Sequence, residues 1–178
     1  MRIGIFETDH FETAYAAIRF FDLPQNDIPI YTYETAYRQL QYLLKKEAAR
    51  FTWIVKPAGQ SKYGFVQTIK ASVREKRIEV LLLHTVTDNF SVYARLVRSL
   101  PQTRIIVTLH YINNFFSFTP VLDFKEWVRF WGRRRLIQCT QEFNVIAPNM
   151  ADYLRNKLPP GKKVYCIPGA VLEDFSAP

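Results

Sequence analysis

Two stretches of this chain, Ile78–Leu83 (IEVLLL) and Arg104–Leu109 (RIIVTL), are apolar almost without interruption, and a histidine follows each one, His84 and His110. Runs of this length read as strands. A strand that is apolar on both faces must be covered on both, as in a parallel sheet flanked by helices. Between them, Phe90–Leu100 has a helical period and Pro101 stops it. The two strands are therefore joined by a crossover and run parallel.

The same alternation extends in both directions. Arg2–Phe6 is a strand, Thr8-Asp9-His10 a polar turn, and Phe11, Tyr15, Ile18 and Phe21 or Leu23 mark a helix with Thr8 or Asp9 available as its N-cap. Ile28–Thr32 follows a turn at Pro24–Asp27. Residues 34–50 then form a surface helix with Ala36, Leu40, Leu43, Leu44 and Ala48 on one stripe. Phe51–Val55 is a strand, Pro57–Ser61 a loop, and Gly64–Lys76 a helix through Phe65, Ile69 and Val73. Beyond His110, residues 111–120 are rich in rings and amides and have no helical period. Residues 123–138 read as a helix with Phe124, Trp127, Val128, Trp131 and Arg135 along one side. Phe143–Ala147 is a strand closed by Pro148 and Asn149. A helical segment ended by Pro159, Pro160 and Gly161 follows, then a last apolar run closed by Pro168 and Gly169. The expectation is one α/β domain over residues 1–178: a Rossmann-like open parallel sheet of about seven strands with helices on both faces.

Composition adds limits. With 178 residues, 48% hydrophobic and 22% charged, the chain can bury a full core and does not have the composition of a disordered one. Aromatic residues make up 15%, enough either to fill a core with large rings or to present rings to sugar, lipid or a partner. Cys139 and Cys166 have neither metal-ligand spacing nor a CxxC arrangement, so a reduced, cytoplasmic protein without a metal site is expected. MRIGIF lacks the apolar core of a signal peptide. No run approaches the roughly 18 apolar residues of a spanning helix, and any membrane contact is expected to be peripheral.

In an open parallel sheet, ligands bind beyond the carboxyl ends of the strands. The loops there are 7–12, 57–62, 84–89 and 110–119. They contain Asp9, His10 and Glu12; His84 and Asp88; and His110, Tyr111 and Asn113. All three histidines of the chain fall in these loops. Each has an ordinary reading as a satisfied residue at a strand end or helix start. Each also has a chemical one, since a neutral imidazole can take a hydrogen bond or a proton from a hydroxyl.

Strand, helix and strand over Phe143–Phe175, with Val164, Ile167, Pro168, Val171 and Phe175 in the last part, resemble the end of the N-terminal domain of a GT-B glycosyltransferase of the family 4 type. There the final strand reads approximately V-x-V-I-P-N-G-V-D; here Gly169-Ala170 stand in place of Asn-Gly. LLLHTVTD at 81–88 and IVTLHY at 106–111 are similar to the ends of the family's fourth and fifth strands. The resemblance, which covers most of the chain, implies that His84 and His110 contact the transferred sugar or the acceptor, with His110 the catalytic candidate. It implies an acceptor-side domain, a nucleotide-sugar donor, a glycan or lipid-linked acceptor as in polysaccharide biosynthesis, and a retaining outcome. One departure is plain: many members have a Gly-rich turn after the first strand, and this chain has GIFETDHFET. The family holds its donor mainly in a C-terminal domain, which residues 1–178 are not expected to include. The chain is therefore expected to have no cofactor of its own, and to need a donor-binding domain in cis or trans for activity. A competing reading is a non-catalytic Rossmann-like module that binds a protein partner or an anionic membrane.

The net charge of +8 needs its own account. Basic residues concentrate at Lys45-Lys46, Arg74–Arg77 and Arg133-Arg134-Arg135, the last beside Trp127, Phe130 and Trp131. Trp127, Trp131, Arg133, Arg134 and Arg135 have the composition of a helix lying on an anionic membrane. The alternative is a solvated basic face with its rings in the core. Nucleic acid is disfavoured, because no recognition motif accompanies the charge.

Overall fold

A computed structural model of the chain describes residues 1–21, 27–84, 90–110, 112, 115, 116 and 123–167. Seven strands form one sheet: β1 (Ile3–Glu7), β2 (Pro29–Thr32), β3 (Thr52–Val55), β4 (Val80–Leu83), β5 (Arg104–Leu109), β6 (Glu142–Val145) and β7 (Lys163–Cys166). Their order is β3-β2-β1-β4-β5-β6-β7, and every pairing is parallel. The connecting helices are α1 (Phe11–Phe21), α2 (Glu34–Leu44), α3 (Lys62–Glu75), α4 (Phe90–Ser99), α5 (Phe124–Cys139) and α6 (Pro148–Lys157).

The apolar runs have the double burial their composition demands. Ile3, Ile5, Ile30, Val80 and Leu82 pack with Ala14 and Ile18 of α1 and Leu40 and Leu44 of α2. Their neighbours Phe6, Tyr31, Leu81, Leu83, Val107 and Phe143 turn the other way, against Phe65 and Ile69 of α3, Leu96 of α4, Leu136 of α5 and Leu154 of α6. Alternate residues of one strand thus feed two separate cores.

Two helix boundaries differ from the sequence reading by more than one residue. The helix expected over residues 34–50 ends at Leu44: Lys45 adopts φ 51° and Lys45–Arg50 tighten into a 3₁₀ turn, which keeps Ala48 buried on the same stripe. Helix α3 starts earlier, at Lys62, where the Ser61 side chain accepts the Gly64 N–H at 3.0 Å.

The larger correction concerns α5. Phe124, Trp127, Val128 and Trp131 are exposed, which overturns the alternative that put the rings in the core. Arg134 and Arg135 are exposed beside them, and the Arg134 guanidinium lies 5.5 Å from the Trp131 ring centroid. Arg133 does not belong to that face. It is only 8% exposed, with its guanidinium 5.7 Å from the Phe90 ring centroid and 4.0 Å from Glu126. One helical position separates it from the outer stripe, and a 3.6-residue repeat turns it inward.

Candidate functional site

Strand order reverses between β1 and β4, so their connections leave in opposite directions and open a crevice at the carboxyl edge. Each histidine sits beside that point, His10 just after β1, His84 immediately after β4 and His110 immediately after β5. The rings of His10 and His110 stack with centroids 4.6 Å apart and planes 17° apart. His84 is buried close enough to His110 to feel its charge, and neither of its ring nitrogens has a hydrogen-bond partner among the described residues.

Burial pushes His84 down to about 3, with His110 beside it adding to the shift. The same two causes, burial and then the neighbouring His10, push His110 down to about 4. Both imidazoles are neutral at pH 7. The Thr13 hydroxyl lies 3.5 Å from His110 Nε2, at the long limit of a hydrogen bond, and donates to the His10 carbonyl at 2.8 Å.

The first loop is organised by Glu7, a fully buried carboxylate at the last position of β1. Its Oε1 accepts the backbone N–H groups of Thr8 (2.7 Å), Asp9 (2.9 Å) and His10 (3.0 Å). Glu7 therefore orders this turn, where the sequence had offered Thr8 or Asp9 as a cap. Asp9 is exposed and accepts the Thr8 hydroxyl at 2.9 Å. Glu12 lies in the first turn of α1.

A second polar group flanks the crevice. Tyr33, just beyond β2, is hydrogen-bonded to Tyr93 of α4, and burial followed by the charge of Asp9 pushes its phenol up to about 12. Tyr93, raised chiefly by burial, also bonds Thr8. The ammonium groups of Lys56 and Lys62 lie 5.8 and 6.0 Å from the Tyr33 ring centroid. Lys56 also donates to the carbonyls of Pro57 (3.2 Å) and Gln60 (2.6 Å).

The structure thus brings together Asp9, His10, His84 and His110. Asp88, Tyr111 and Asn113 lie outside the described residues, as does the closing turn at Pro168 and Gly169. Glu7, Thr13, Tyr33, Tyr93 and Lys56 were not picked out from the sequence. For Glu7 a signal was present: a carboxylate in register with buried Ile3 and Ile5 must find donors. Tyr33 and Tyr93 looked like any other core ring.

Depressions of about 380, 390 and 660 Å³ open at the opposite edge of the sheet, around Met1 and Lys76, around Leu100 and Glu142, and around Arg74 and Thr103. Their charged residues pair with one another, as in Lys76–Asp27 (3.8 Å) and Arg104–Glu142 (2.7 Å). Among the described residues, no group of His, Cys, Asp and Glu side chains could hold a metal ion.

A family model described as Glycosyltransferase Family 4 matches residues 23–174. No curated protein matches this sequence. Among solved structures, the chain is similar to UDP-GlcNAc 2-epimerase from Neisseria meningitidis, with a TM-score of 0.62 at 12% identity over 93% of this chain and 46% of that one. It is also similar to the enzyme from Methanocaldococcus jannaschii, with a TM-score of 0.61 at 13% identity over 92% and 44%. A putative short-chain dehydrogenase/reductase family oxidoreductase from Aeromonas hydrophila gives a TM-score of 0.51 at 12% identity over 93% and 98%. These likenesses are to the fold. The chain spans less than half the length of the two epimerases.

Proposed function

Since this chain belongs to glycosyltransferase family 4, with the Rossmann-like architecture of one GT-B half, we propose that it is the acceptor-binding N-terminal half of a glycosyltransferase. The reaction would move a sugar from a nucleotide-sugar donor to a hydroxyl of a glycan or lipid-linked acceptor, with retention as in the family. A donor-binding domain, in cis or in trans, would hold the nucleotide.

One observation supports this reading above the others: three histidines from three different loops lie near one another at the switch point, one of them buried with neither ring nitrogen partnered among the described residues. Leaving a buried polar group unpaired is costly, and sites built to hydrogen-bond a ligand accept that cost. A sugar hydroxyl is a fitting partner, because it donates and accepts at once. The depressed basicity of His110 favours holding the hydroxyl over abstracting its proton, since a general base works best with a pKa near the working pH. Its main contribution would then be orientation toward the anomeric carbon.

The test is sugar transfer by the chain joined to a donor-binding domain. His110→Ala and His84→Ala are each expected to lower kcat/KM about a hundredfold. Wild-type rates in both variants would refute the reading.

The outer face of α5 supports a second reading, peripheral contact with an anionic membrane. Phe124, Trp127, Val128 and Trp131 are exposed on one stripe with Arg134 and Arg135 beside them, and no described helix is long and apolar enough to cross a bilayer. Rings seated at the headgroup level with arginines toward anionic phosphates suit that arrangement. Flotation with phosphatidylglycerol vesicles, lost in Trp127→Ser/Trp131→Ser and absent with phosphatidylcholine alone, is the expected outcome. No flotation with either lipid would remove it.

A further inference from the structure

Successive backbone N–H groups that converge in front of a helix form a concavity for an anion, and in nucleotide-binding α/β folds the anion is a phosphate. The turn between β1 and α1 has that form, with the N–H groups of Thr8, Asp9 and His10 all directed at one point, and the point is already taken by Glu7 Oε1. The occupying anion is part of the chain and is fully buried. Its other oxygen, Oε2, lies 3.5 Å from the Thr13 hydroxyl, the group that also approaches His110. The outer rim of the same turn presents the exposed carboxylate of Asp9.

We propose that Glu7 determines which ligand groups this corner accepts: it fills the anion-binding turn with an internal carboxylate, excludes phosphate, and leaves the stacked histidines beside it to uncharged hydroxyls. An incoming phosphate would have to displace a tethered carboxylate that loses no translational freedom on binding, and would meet the like charge of Asp9. The inference also accounts for GIFETDHFET in place of glycines. Glycine is needed in such a turn where a ligand phosphate must approach the backbone, and here none does. Phosphates of any ligand must then lie elsewhere along the crevice. The proposal stands whether or not the ligand is a glycosyl acceptor.

Inorganic phosphate titrated into the wild-type chain and into Glu7→Ala, followed on the amide resonances of Thr8, Asp9 and His10, tests this directly. The wild type is expected to show no saturable shift of these amides. Glu7→Ala is expected to show one, with a phosphate-dependent rise in Tm, as the free anion takes the place of the lost carboxylate. Saturable shifts in the wild type overturn the proposal, and so does a folded Glu7→Ala without them. Should Glu7→Ala not fold, Glu7→Gln keeps the side-chain volume and removes the charge. Its three amides are expected to exchange with solvent about tenfold faster, the difference between a charged and a neutral acceptor. Unchanged exchange would overturn the role given to the charge.

Discussion

The two edges of the sheet use similar residues in opposite ways. At the amino edge, Arg104 binds Glu142 through two nitrogens at 2.9 and 2.7 Å and reaches Tyr165 at 3.1 Å, and Tyr165 in turn donates to Glu142 at 2.9 Å. These three groups answer one another, and the Arg104 side chain is about half exposed. At the carboxyl edge, a carboxylate and an imidazole are fully or almost fully buried, and the imidazole of His84 has no described partner. That amino-edge cluster is complete without a ligand. The carboxyl edge keeps hydrogen-bonding capacity in reserve at His84, as the proposed binding site requires.

The contrast can be broken most forcefully at Glu7. Glu7→Ala should cost about 3 kcal/mol or more in urea denaturation, because three N–H groups lose a charged acceptor in a buried setting. A loss below about 1 kcal/mol would mean that water replaces the carboxylate easily.

A pH series separates the edges by window. Below pH 6.5 the unfolded chain protonates its histidines, while the folded chain holds His84 near 3 and His110 near 4. The unfolded state then binds more protons, so stability is complete above about pH 6.5 and falls steadily as the pH drops toward 4. Glu142 is depressed by its hydrogen bond to Arg104, and its contribution is lost only as the pH falls below the ordinary carboxylate value of 4.5. Imidazole resonances that titrate near 6.5 in the folded protein would contradict the burial assigned to His84 and His110.

Two smaller effects should have opposite signs. His84→Leu removes a polar group without a partner among the described residues and is expected to raise stability by about 1 kcal/mol while weakening ligand binding. Arg104→Ala removes a half-exposed ion pair and should cost about 1 kcal/mol or less, shrinking further in high salt. Calorimetry at two salt concentrations checks both. Equal losses for the two variants would erase the distinction between the edges.

Much of this was legible in the amino-acid order. Ile78–Leu83 and Arg104–Leu109 announced doubly covered strands, and the placement of each histidine after a strand located the crevice. The reserve at His84 was not legible, because its burial depends on tertiary packing that the local sequence does not show. Glu7 reads in sequence as one more residue of a polar turn unless the strand is carried on to it, when the two-residue period puts it in line with Ile3 and Ile5 and turns it inward. Helix α5 misled for a related reason. Its rings read equally well as core or surface, since the inner face is filled by Gly132, Arg133 and Leu136, and Gly132 admits close contact with Phe90 and Ser91.

The most direct test of the central claim is a titration of the chain with candidate acceptor saccharides, observed on the imidazole resonances of its three histidines. The account predicts saturable shifts at His10, His84 and His110, with the amino-edge resonances of Arg104 and Glu142 unmoved. Saturable binding that leaves all three imidazoles unchanged would contradict it.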